Sequence, residues 1–64
     1  MKINGETITL KDSYTVGEFL DRYEYKRDRI AVELNHEVIP KEQYDKKMLV
    51  DSDQIEIVQF MGGG

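Results

Sequence analysis

The chain ends Gly62-Gly63-Gly64, and this ending is where its residue types could do chemistry. Glycine makes up ~7% of an average protein, so three in succession at one fixed place has a chance frequency on the order of 3 in 10,000. Lacking a Cβ, glycine adopts any backbone angle and threads a channel too narrow for other residues. It also leaves a terminal carboxylate open to attack from either face. Such a carboxylate on a flexible arm can be inserted into an activating enzyme, adenylated and handed to a nucleophile, while the folded body serves as the handle that partners recognise. The competing reading is a frayed end, which chain termini commonly show.

Few other side chains offer chemistry. The absence of cysteine and the presence of a single histidine, His36, exclude disulfides, a thiol nucleophile and the usual structural metal clusters. Nine Lys+Arg against thirteen Asp+Glu leave a net charge of −4, which argues against nucleic acid or an anionic membrane as the main partner. Residues 1–32 are electrically balanced, and the whole excess lies in residues 33–64. That distribution has two readings, a solvated acidic surface or an acidic C-terminal end steered toward a basic partner cleft. No apolar run approaches the ~20 residues of a membrane span, and no signal-peptide segment follows Met1-Lys2-Ile3. The expected setting is therefore the reducing cytoplasm. A 64-residue chain forms one small domain that buries only ~60% of its unfolded surface. Without metal or thiol it is a poor free-standing enzyme, and reads as a module on which something else acts. It is expected to be a monomer when free.

The elements that must carry the tail are legible in outline. Ile3, Asn4-Gly5 and the alternating Glu6-Thr7-Ile8-Thr9-Leu10 read as a hairpin, because Asn-Gly supplies the two positive-φ positions of a type I′ turn. Val16, Phe19, Leu20 and Tyr23 fall at i, i+3, i+4 and i+7, one apolar stripe of a helix. Thr15 and Glu18 form a capping box at its start, with Tyr14 and Phe19 spaced as a hydrophobic staple. Arg22, Lys26 and Arg27 suit the negative end of the helix dipole. Ile30 to Leu34 is a β-branched strand, Asn35-His36-Glu37 a turn and Val38-Ile39 a short return strand that Pro40 ends. Lys41 to Lys47 is polar apart from Tyr44, a loop or a single helical turn. Met48-Leu49-Val50 is a short apolar piece, Asp51-Ser52-Asp53 a tight turn, and Ile55 to Phe60 the last strand. The order predicts an α+β roll: a mixed sheet of four to five strands packed on one main helix, over residues 1–60, followed by a flexible glycine tail, 61–64.

Within this order, Thr15-Val16-Gly17-Glu18-Phe19-Leu20, Ala31-Val32-Glu33-Leu34-Asn35 leading to Val38-Ile39-Pro40, Asp51 to Asp53 followed by Gln54-Ile55-Glu56-Ile57-Val58, and the final Gly63-Gly64 together resemble the ThiS-type sulfur carriers of thiamine biosynthesis, in the ubiquitin-like β-grasp superfamily. The resemblance covers the whole chain. Ser52 stands where the family usually has glycine, and Gly62 adds a third glycine; neither touches the reacting end. The resemblance implies that a ubiquitin-activating-like adenylyltransferase uses ATP and magnesium to adenylate the carboxylate of Gly64. It further implies that a persulfide-bearing donor converts this to a thiocarboxylate, and that thiazole synthase takes the sulfur. The chain itself would bind no cofactor. Two other readings stay open: a carrier for another pathway (molybdopterin, thiolated tRNA or an amino acid), and a non-covalent interaction module with inert glycines.

The last strand offers a surface for such partners. Ile55 and Ile57 share one face, and Glu56, Val58 and Phe60 the other. With the isoleucines turned to the helix, Val58, Phe60, Met61 and Gly62 make an apolar partner-binding patch rimmed by acids, beside the reacting Gly63 and Gly64. A bulge at the strand end would instead tuck Val58 and Phe60 away.

Overall fold

The computed structural model describes residues 1–60. Two asparagine turns organise its sheet. Lys2–Ile3 (β1) and Glu6–Thr7 (β2) form an antiparallel hairpin across Asn4-Gly5, where φ is 48° and 84°, the pair of left-handed positions a type I′ turn requires. Ile30–Leu34 (β3) and Glu37–Val38 (β4) meet in the same way across Asn35-His36, with φ of 54° and 70°. His36 is thus turn chemistry. The return strand begins one residue before the expected Val38, because the turn consumes only two residues. β2 is shorter than the alternation predicts, yet Ile8 and Leu10 still pack half-buried against the core.

Gln54–Gln59 (β5) is the middle strand, parallel to β1 and antiparallel to β3, in the order β2-β1-β5-β3-β4. Both turn asparagines also fasten β5. Asn4 Oδ1 accepts from the Ile57 N–H at 2.8 Å. Asn35 Oδ1 accepts from the Gln54 N–H at 3.0 Å, and its amide donates to Asp53 Oδ1 at 3.0 Å. The Asp51–Asp53 turn closes as expected, with Asp53 Oδ2 accepting from the Val50 N–H at 2.9 Å.

The helix, Val16–Arg22 (α1), starts where the sequence places it. Thr15 Oγ1 accepts from the Glu18 N–H at 3.0 Å, and Glu18 Oε1 accepts from the Thr15 N–H at 2.9 Å. Two further N–H groups of its first turn donate to a distant loop, Val16 to Lys47 O at 2.8 Å and Gly17 to Tyr44 O at 2.7 Å. Val16, Phe19 and Leu20 are fully buried. Tyr23 departs from the expected stripe: α1 ends at Arg22, and Tyr23 caps it half-exposed, stacked on Phe19 with ring centroids 4.5 Å apart. Of the three cations read as a helix exit, only Arg22 lies in the last turn, over the Tyr14 ring. Lys26 and Arg27 lie beyond the helix, and Arg27 bridges Asp21 and Asp45.

The core lies between the helix and one face of the sheet, where Ile30, Val32, Leu34, Ile55 and Ile57 meet α1 residues, Met1 and Leu49. The polar stretch expected at Lys41 to Lys47 contains a 3₁₀ turn, Lys41–Gln43, and then Tyr44, 1% exposed and among the largest buried side chains. Burial pushes the Tyr44 phenol above its ordinary pKa. This architecture is the expected α+β roll, with five strands and one main helix among the described residues.

Candidate functional site

β5 alternates as the period of a strand demands. Ile55 and Ile57 are buried, whereas Val58 and Phe60 are 51% and 58% exposed. No bulge intervenes, because the β3–β5 register runs unbroken from Leu34↔Ile55 to Ile30↔Gln59. The outward placement of Val58 and Phe60 is therefore observed. The remaining candidates, Met61, Gly62, Gly63 and Gly64, lie outside the described residues.

Strand pairing shows what else shares this outer face. Directly opposite residues point the same way, so Ala31 stands beside Val58, Glu33 beside Glu56, and Val38 beside Glu33. Val38 is 70% exposed. It joins Val58 and Phe60 as a third large apolar side chain on the face, and the sequence reading missed it. Its signal was available only in the register: an apolar residue of a two-residue edge strand carries no alternation from which to tell its side. Glu33 and Glu56 are like charges directly opposite one another, and no cation pairs with either among the described residues.

The acids of the C-terminal half are not gathered beside the tail. Asp51 and Asp53 precede β5 and sit at the end of that strand opposite Phe60, roughly 20 Å away at the rise of a strand. Both accept hydrogen bonds from within the chain while remaining at the surface. Asp51 Oδ1 accepts from the Met1 ammonium at 3.0 Å and from the Leu10 N–H at 3.3 Å, contacts that hold its carboxyl below the ordinary carboxylate range. Only Glu56 of the late acids lies on the outer face. Near the tail the charge has the other sign: Phe60 walls a shallow notch with Lys26, Arg29, Ile30, Gln59 and Glu24. The Phe60 N–H donates to Arg29 O at 2.9 Å, so the strand is held to its last described residue.

Among the described residues there is no group of three or more side chains able to hold a metal ion, and no helix long and apolar enough to cross a membrane. What the geometry presents is a firmly registered central strand, an outer face mixing apolar and acidic side chains, and a C-terminal continuation toward three glycines.

Comparison with known sequences gives this arrangement its family. The ThiS family model matches residues 1–64. The chain belongs to the ThiS family. Among similar proteins, the sulfur carrier protein ThiS of Bacillus subtilis is 40% identical over all of this chain and 98% of its own length. A thiazole synthase of Paramagnetospirillum magneticum is also 40% identical, over 97% of this chain but only 19% of that longer protein. The crystal structure of a ThiS from Geobacter metallireducens superposes with a TM-score of 0.78 at 35% identity, covering 98% of this chain and 96% of the other. The roll is thus the β-grasp fold of ThiS proteins.

Proposed function

We propose that this chain serves thiamine biosynthesis as a sulfur carrier whose working group is the backbone carboxylate of Gly64. Sulfur carriage for thiamine biosynthesis is the function of its family, and a carrier is not itself the catalyst. In the proposed route a carboxylate oxygen of Gly64 attacks the α-phosphorus of ATP on an adenylating partner, and pyrophosphate leaves with magnesium. The terminal sulfur of a persulfide donor then attacks the acyl carbon and expels AMP. A second thiol cleaves the remaining S–S bond, leaving as a disulfide and releasing the thiocarboxylate. Gly63 and Gly62 let the arm enter the partner's channel. Val58, Phe60 and Met61 dock the body, with Val38 extending the apolar surface and Glu33 and Glu56 favouring a cationic counterpart. ATP and magnesium belong to the partner; the carrier holds neither.

The single observation that carries this reading is the Gly62-Gly63-Gly64 ending on a ThiS-family chain with no cysteine, which supports the terminal carboxylate as the sulfur-bearing group. The match of nearly the whole chain to a segment of a thiazole synthase supports such a synthase as the acceptor of the sulfur. The test is incubation with adenylating enzyme, ATP and sulfur donor, following pyrophosphate release and the mass of the carrier. The wild-type chain should exchange one oxygen for one sulfur. Adding one residue after Gly64, or replacing Gly63 by a β-branched residue, should abolish the exchange with the folded body intact. An extended chain that forms thiocarboxylate at the normal rate without being trimmed would overturn the assignment to Gly64.

A further inference from the structure

We propose that Arg27 is a positioning residue for the C-terminal tail, acting through the backbone carbonyl of Arg29. The functional half of this inference rests on the reading that Gly64 is the reacting residue. The last backbone contact before the tail is the Phe60 N–H donating to Arg29 O at 2.9 Å, one step beyond the final β3–β5 pair, Ile30↔Gln59. That carbonyl ends the 3₁₀ turn Arg27–Arg29, which has no side-chain cap and no buried residue. Core packing therefore reaches the turn only from its flanks, through buried Ile30 and half-buried Tyr25.

The Arg27 side chain ties the turn itself to the rest of the fold. Its Nε and Nη2 donate to Asp21 Oδ1 and Oδ2 at 3.3 and 3.1 Å, and its Nη1 donates to Asp45 Oδ2 at 3.0 Å. Nη2 also lies 2.9 Å from Asp45 Oδ1. Both carboxylates are thus held by two atoms each, the planar fork that distinguishes a directional arginine contact from an ordinary surface ion pair. Gly17 makes the crossing possible: a Cβ there would stand 2.5 Å from Arg27 Nη2 and would clash with Asp45 Oδ1. One side chain thereby ties the last turn of α1, the segment after Tyr44 and the turn whose carbonyl receives the Phe60 N–H.

The effect on the reaction is one of populations. With the turn held, the Phe60–Arg29 bond fixes the backbone at Phe60, the point from which the tail departs. With Arg27 removed, only a fraction of free molecules present that geometry, and apparent affinity for the adenylating partner falls by the same fraction, while a docked molecule reacts normally. The signature is a raised KM for the carrier at unchanged kcat.

The test compares Arg27→Gln, Arg27→Lys and Asp45→Asn in the full chain. It reads amide hydrogen exchange at Phe60, at Ile57 (bonded to Asn4 Oδ1) and at Ile8 (bonded to Met1 O), together with steady-state pyrophosphate release. In Arg27→Gln, exchange at Phe60 should accelerate and KM rise by about threefold to tenfold, with kcat and the other two amides as in wild type. Arg27→Lys, which donates from a single nitrogen, should lie between. Asp45→Asn should move Phe60 and KM in the same direction by less, and decides the matter should Arg27→Gln not fold. Unchanged exchange at Phe60, or acceleration of all three amides together, would overturn the proposal and make Arg27 a general support of the fold. If wild-type chain releases no pyrophosphate, the assignment to Gly64 fails, while the three amides still report on what Arg27 does.

Discussion

Phe60 stands 58% exposed at the end of the central strand, so removing its ring leaves no cavity behind. Phe60→Ala should therefore melt close to wild type, yet bind the adenylating partner more weakly by over ~1 kcal/mol, the cost of truncating an anchor at an interface centre. Calorimetry and titration separate the two effects, and a collapse in melting temperature would place the ring in the core. Glu56 makes the opposite case. It faces Glu33 across the β3–β5 pair, a juxtaposition that costs stability in the free protein. Glu56→Gln should raise unfolding stability by ~0.2–1 kcal/mol, measured in urea, and lower affinity for a cationic partner face. At this scale the sequence was readable where a residue's neighbours along the chain decide its side. Ile55, Ile57, Val58 and Phe60 sort by period alone. Val38 does not, because its exposure depends on which strand it borders.

Local chemistry also made the helix start readable. A capping hydrogen bond needs only residues three apart, so Thr15 and Glu18 announced it, and the structure forms both halves. Thr15→Ala should cost roughly 1 kcal/mol, seen as a shift of the denaturation midpoint at constant slope; an unshifted midpoint would mean that the box contributes nothing in solution. The Asn4-Gly5 turn was legible for the same reason, and the Asn35-His36 turn was legible in place though read one residue too long, through Glu37. Tyr44, Tyr23 and Arg27 were not. Tyr44 has no periodic partners in its polar stretch, and is buried because the Lys47 and Tyr44 carbonyls bond the first turn of α1 and draw that loop against the helix. Tyr44→Ala should cost about 3–5 kcal/mol, as large aromatic truncations in cores do. For so small a domain that is most of its stability, so the variant should be largely unfolded by circular dichroism at room temperature. Arg27 read as a helix-end charge because its two carboxylate partners come from separate parts of the chain.

Among the described residues, two long-range contacts of charge close the molecule, Arg27 with Asp45 and the Met1 ammonium with Asp51. Hydrogen bonding to Arg27 lowers the Asp45 pKa, and hydrogen bonding to the ammonium lowers that of Asp51, both from the ordinary 3.8. A depressed folded pKa means that the unfolded chain binds protons first. The associated stability is therefore complete above the ordinary value and lost as pH falls through the lowered ones. Stability should be flat in this respect above about pH 5 and decline below about pH 4, and Asp51→Asn should flatten part of the decline in acid unfolding curves. The same closure is topological. β5 joins the two halves of the sheet, β2-β1 on one side and β3-β4 on the other. During translation, β1 must wait until Gln54 and Ile55 have been made before it has its parallel neighbour. A nascent chain interrupted before Gln54 has no middle strand, cannot complete its core, and stays open to proteases that the finished molecule resists. The sheet order thus makes completion of the fold depend on the segment that leads to the glycine arm.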